Sequence, residues 1–156
     1  MIKSIGSYLK GIVESSSRME HYKKHRDSKV DLKRVHKELI GDYKGKKFWL
    51  VDGTYIRDEI DADYVEGGNP GRYSYVPEHE LWIEKVMVRE DQLCTMVHEY
   101  VERDKMELEH WSYDRAHNYA LGIEKKLRKG LPRKGSLMKD FLYVIENIEE
   151  FGGKKK

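Results

Sequence analysis

The sequence predicts an α+β domain, with N-terminal helices, a small antiparallel sheet, then a helix pair and a C-terminal helix. Three observations lead there. Apolar residues recur at helical spacing near both ends, β-rich runs with turn signals fill residues 47–88, and 156 residues leave room for one modest core. The expected single domain, 1–156, divides into a basic helical segment at 1–46, a sheet with site-bearing helices at 47–130, and a C-terminal helix with a basic tail at 131–156.

The elements follow in order. Ile5, Leu9 and Val13 lie four apart, and after Ser15-Ser16-Ser17 a second set follows at Val30, Leu32, Val35, Leu39 and Ile40. This pattern predicts two helices with a junction near 15–28, the second ended by Gly41-Asp42. Lys47–Val51 and Thr54–Ile56 flank Asp52-Gly53, a pair suited to positive φ at both central positions of a hairpin. Ala62–Val65 and Arg72–Val76 suggest a second strand pair around Gly67-Gly68-Asn69-Pro70-Gly71, read as a flexible loop, and Leu81–Val88 a further strand. From Arg89-Glu90-Asp91 the period becomes helical through Leu93, Met96, Val97, Tyr100 and Val101. Ser112 caps a helix carrying Ala116, Ala120, Ile123 and Leu127, and residues 136–150 form the last one.

Composition narrows the function classes. No apolar run approaches the ~20 residues of a membrane-spanning helix, and Met1–Gly6 lacks the apolar stretch of a secretory signal, so the expected compartment is the cytoplasm. The lone Cys94 reads as a buried small hydrophobe. The formal charge of +2 separates into +7 over 1–48, −8 over 49–128 and +3 over 129–156. Two readings of the basic ends stand: a nucleic-acid surface, or charge that neutralises the acidic middle.

The chemistry lies in Val97-His98-Glu99-Tyr100-Val101-Glu102-Arg103 and Tyr113-Asp114-Arg115-Ala116-His117. Residues four apart on a helix share a face, so His98 and Glu102 can reach one metal ion, with Glu99 beside them as general base. An antiparallel return of the next helix brings His117 back as a third ligand. Two histidines and a carboxylate form a catalytic zinc set that leaves a position for water. Glu124 is either a fourth ligand, which closes the site and makes it structural, or, like Asp114, a carboxylate that orients His117. His110, beside Trp111 at the turn, and Tyr113 are candidate transition-state donors. Trp49 and Trp82 read as core, and Glu78, His79 and Glu80 as rim residues, with Glu80 the nearest to the site.

The order strand, His98-Glu99-x-x-Glu102 helix, second helix with a ligand resembles the catalytic core of zincin metallopeptidases of the gluzincin kind. There the first helix gives two His and the second a Glu; here the types are exchanged. The resemblance implies a zinc-dependent peptidase whose strand before the helix, Leu81–Val88, binds extended substrate. Val51-Asp52-Gly53, Arg57-Asp58, Tyr64-Val65-x-Gly67-Gly68, Tyr75-Val76-Pro77, Glu80-x-Trp82-Ile83 and the His98–His117 block also resemble small uncharacterised phage and prophage proteins, over about residues 47–128. Two alternatives remain open at this level: a non-catalytic, metal-stabilised protein that binds nucleic acid or another protein through its basic N-terminal helices, and a non-haem Fe(II) enzyme, since the same ligand set suits iron.

Overall fold

A computed structural model describes residues 30–154. The expected helix around Ile5, Leu9 and Val13, its junction at 15–28 and the two terminal lysines lie outside the described residues. The elements are α1 (Leu32–Val35), β1 (His36–Tyr43), β2 (Lys46–Val51), α2 (Gly53–Glu59), β3 (Gly67–Gly68), β4 (Glu80–Glu84), α3 (Arg89–Leu108), α4 (Tyr113–Leu127), α5 (Leu137–Glu146) and a 3-10 turn at Ile148–Phe151. The class is mixed α and β, with five helices and a four-stranded open sheet among the described residues. None of these helices is long and apolar enough to cross a membrane.

The sheet order is β1-β2-β4-β3. β1 and β3 run antiparallel to their neighbours but β2 and β4 are parallel, so the expected antiparallel sheet is in fact mixed. The parallel pair needs cover on both faces, and the alternation of its residues supplies it. Phe48, Leu50, Leu81 and Ile83 pack in one core with Leu93, Met96, Val97 and Val101 of α3, Ala120, Ile123 and Leu127 of α4, and Phe141 and Val144 of α5. Val51 and Trp82 belong to a second core with Val35, Ile56, Ile60, Tyr64, Tyr73, Tyr75 and Val76, against which Trp49 packs.

Further sequence expectations are corrected by the strands. The predicted second helix, Val30 to Ile40, is helical for one turn only, capped by the Asp31 side chain on Lys33 N; His36–Tyr43 is a strand. Its register against β2 shifts between His36 and Glu38 and again between Leu39 and Gly41. Each such bulge resets the side-chain alternation, which hides a strand's period of two. The hairpin is also displaced: it turns at Lys44-Gly45, with φ of 47° and 80°, the double positive φ of a tight hairpin turn. Asp52-Gly53 instead starts α2, where Asp52 Oδ1 accepts from Tyr55 N at 3.1 Å.

Glycine is needed at 53 for space. Its N–H donates to Glu84 Oε1 at 3.1 Å, and a Cβ there would fall 1.5 Å from Glu84 Oε2. The expected pair Ala62–Val65 and Arg72–Val76 is a run of turns, with Tyr64 N bonded to Asp61 O and Val76 N to Tyr73 O. Its Tyr64, Tyr73, Tyr75 and Val76 are buried because they floor the second core. β4 ends at Glu84, and beyond it Val86 and Val88 are exposed.

The helices follow their sequence signals. Ser112 Oγ accepts from Arg115 N and Ser136 Oγ from Lys139 N, capping α4 and α5. Cys94 is buried, and burial pushes its thiol up to about 11. Gly53→Ala should destabilise the fold by about 2–3 kcal/mol through overpacking against a buried carboxylate, whereas Asp52→Ala should cost about 1 kcal/mol as a lost cap. Urea unfolding of both variants checks the order; equal losses would mean that Glu84 moves aside freely.

Candidate metal centre

α3 presents His98 and Glu102 one turn apart, and α4 runs back along it. Cross-links at Asp91–Arg128 (2.6 Å), His98–Glu124 (3.0 Å) and Glu102–His117 (2.8 Å) define the antiparallel register. His98 Nε2, Glu102 Oε2 and His117 Nδ1 meet in a triangle with edges of 3.0, 2.8 and 3.1 Å. Among the described residues, these three form a group able to hold a metal ion. Tetrahedral zinc with bonds of ~2.0–2.1 Å separates its donors by ~3.3 Å, so the triangle needs to open by only ~0.2–0.5 Å. Hydrogen bonds satisfy only those edges on which a nitrogen carries a proton, while one cation offers all three lone pairs a partner.

The other ring nitrogen of His98 fixes its role. Nδ1 donates to Glu124 Oε2 at 3.0 Å, which turns Nε2 toward Glu102 and His117. Glu124 is held in turn by Arg128, whose Nη2 donates to Glu124 Oε1 at 2.9 Å. Glu124 therefore sits outside the triangle as an orienting carboxylate, and it orients His98 rather than His117. Burial alone would lower the His98 pKa, but hydrogen bonds to Glu102 and Glu124 outweigh it and hold the imidazolium up at about 10. Burial likewise opposes the Glu102 charge, yet hydrogen bonds from His98 and His117 keep its carboxyl below the ordinary value. Glu124 is lowered chiefly by its bond to His98.

Glu99 lies beside the triangle. One amide joins it to the triangle: Asn69 Nδ2 donates to Glu99 Oε2 at 2.7 Å and to Glu102 Oε1 at 2.9 Å. The Asn69 side-chain oxygen accepts from Gly71 N at 2.9 Å, which leaves both amide N–H bonds aimed at the carboxylates. Burial, then repulsion from Glu102, pushes the Glu99 carboxyl up to about 7, near the value that suits a general base at neutral pH. The loop bearing Asn69, expected to be flexible, is built against α3: a Cβ on Gly67 would lie 2.5 Å from Thr95 Cγ2 and 2.9 Å from Glu99 Oε1.

The remaining candidates divide. Tyr113 reaches the site, its ring stacked on His117 and its Oη 3.4 Å from His117 Nδ1. His110 is exposed beyond the end of α3, with φ of 54°; Leu108 lies six helical steps beyond Glu102, ~9 Å of axis, so His110 stands away from the triangle. Asp114 is exposed on the first turn of α4. Glu80 lies on the far face of the sheet, paired with His36 Nε2 at 2.9 Å and with Trp82 Nε1 at 2.8 Å. The expectation that it approaches the site is therefore corrected, as strand alternation puts it on the Trp82 side. Glu78 meets Arg103 at 3.0 Å.

Two residues at the site carried no sequence signal, Asn69 and Arg72. The Arg72 guanidinium lies 5.0 Å from the Tyr73 ring centroid and 5.4 Å from that of Tyr113. Both stand in a Gly- and Pro-broken loop without periodicity, where only the Asn-Pro-Gly turn chemistry hinted at a fixed backbone. Compared with protein-family models, curated proteins and solved structures, the chain shows no significant match to any of them.

Metal binding should displace a proton. With its pKa raised to about 10, His98 is protonated at pH 7, and ligation requires the neutral ring. Zinc added to metal-free protein at pH 7 should release close to one proton from this residue, and affinity should rise by up to about tenfold per pH unit from 6 to 9. An indicator dye in weak buffer measures the release; zinc binding without it would remove His98 from the ligand set.

Proposed function

We propose that the chain is a zinc-dependent hydrolase of the peptidase type, with His98, Glu102 and His117 as ligands and Glu99 as general base. The observation that carries this reading is the convergence of one oxygen and two nitrogen donors within 3.1 Å, with the Glu99 carboxylate beside them and outside the triangle. A zinc ion held by such a set supplies Lewis acidity and lowers the pKa of a bound water toward ~7.

The protein's own groups account for the other steps. Glu99 takes the proton of the attacking water and returns it to the leaving amine, a role open to a buried carboxylate that stands beside the triangle without belonging to it. Asn69 holds Glu99 and Glu102 in fixed relation, so the base does not swing into the ligand set. Glu124, braced by Arg128, holds His98 in the tautomer that ligation needs. The open side of the triangle is at His117, 31% exposed, while Glu102 is 1% exposed. Tyr113 stands on that side and can donate its hydroxyl to the oxyanion that develops on the substrate carbonyl.

Iron would suit two nitrogens and an oxygen equally well, and the measured metal decides between the two. Elemental mass spectrometry on protein purified without a metal column tests the reading first. We expect about one equivalent of zinc in the wild type and its loss in His98→Ala and His117→Ala. Glu99→Gln should keep the metal and lower cleavage of a quenched-fluorescence peptide library by at least about 100-fold. Unchanged turnover in Glu99→Gln would remove it as the base, and iron in place of zinc would move the function to oxidative chemistry.

A further inference from the structure

The turn that joins Glu99 to Glu102 also carries a cation. Arg72 N and Tyr73 N both donate to the backbone oxygen of Asn69, at 3.1 and 3.0 Å. The residue whose amide holds the two carboxylates therefore also sets where the Arg72 guanidinium stands. That group lies against the rings of Tyr73 and Tyr113, and the Tyr113 ring stacks on His117, the most exposed ligand. Arg72 is thus half-buried at the mouth of the triangle.

Its partners distinguish it from the other arginines near the core. Arg57 pairs with Glu84, Arg89 with Asp140, Arg103 with Glu78 and Arg128 with Asp91 and Glu124. Among the described residues no carboxylate forms an ion pair with Arg72, although two buried carboxylates lie close enough to act on its charge. Aromatic rings contact the guanidinium without using its planar fork of N–H donors.

We propose that Arg72 anchors a carboxylate of the substrate on the His117 side of the triangle, so that the preferred substrate is a peptide with an anionic group close to the scissile bond. This rests on the hydrolase reading above. The planar fork donates two parallel hydrogen bonds to a carboxylate, and the group is either the peptide's free C-terminus or an acidic side chain.

Binding, rather than turnover, tests it. Succinic monohydroxamate and its neutral amide are titrated calorimetrically into zinc-loaded protein. The wild type should bind the carboxylate-bearing probe about 10- to 100-fold more tightly, and Arg72→Met should bind both equally, at the wild-type affinity for the neutral one. Should Arg72→Met lose the neutral probe too, Arg72→Gln is measured against the same criterion. If the wild type binds the neutral probe but shows no preference, or a variant keeps the preference, the anchor is overturned while the metal site stands. If zinc or the neutral probe does not bind at all, the hydrolase reading fails and the anchor with it. Peptides with free or amidated C-termini, and with Glu or Gln near the terminus, are then titrated into zinc-loaded Glu99→Gln; preference for either carboxylate supports the anchor and names its source, and indifference to both overturns it.

Discussion

The antiparallel return of α4 along α3 is the constraint on which the candidate site depends. Glu102 and His117 are fifteen residues apart in sequence and 2.8 Å apart in space only because the two helices lie in one register. Below them Val97 and Val101 pack with Ala120, Ile123 and Leu127, and this apolar seam supplies the driving force. A seam of similar aliphatic residues tolerates a slide of one turn more readily than a ladder of paired charges does. Asp91–Arg128, His98–Glu124 and Glu102–His117 form such a ladder and penalise every other register, because each rung would leave a carboxylate or imidazole without its partner. The fully buried Ala116 and Ala120 leave room for the close approach.

The second support comes from the loop rather than the helices. Glu99 and Glu102 are buried carboxylates brought together on one helix, and their mutual repulsion is part of what raises Glu99. Gly67 lets the backbone of β3 reach α3, and Asn69 then offers each carboxylate one N–H. An aspartate at 69 would add a third negative charge to the same point. The sheet serves mainly to deliver this loop: β3 is two glycines long, and its pairing with Trp82 and Ile83 fixes the height of the loop over the helix.

The parts of this arrangement legible in the sequence are those with a period or a cap. α3 and α4 repeat their apolar residues at helical spacing, Ser112 and Ser136 mark starts, and the four-residue step from His98 to Glu102 projects both onto one face. Helix order and a short linker then suffice to bring His117 back. β1 was illegible because two bulges erase its alternation, and Asp52-Gly53 misled because the same dipeptide serves a hairpin turn and a helix start; the glycine answers to Glu84, thirty-one residues away. The far-side position of Glu80 followed from alternation with Leu81 and Ile83 and was available in the sequence. Asn69 and Arg72 were not, since their partners are brought in only when the loop closes on α3.

The position of β3 has a consequence for what can approach the centre. At Trp82 and Ile83, β4 is flanked by β2 on one side and β3 on the other, so its edge is covered there. A peptide substrate of the proposed hydrolase would therefore not add a strand beside Trp82 and Ile83, as the resemblance to zincins led one to expect, and the outer edge of β3 offers a ledge of two glycines. Such a ledge aligns little main chain and reads no side chain. On the proposed hydrolase reading, selection at this opening would fall to chain ends and local charge rather than to a long extended segment.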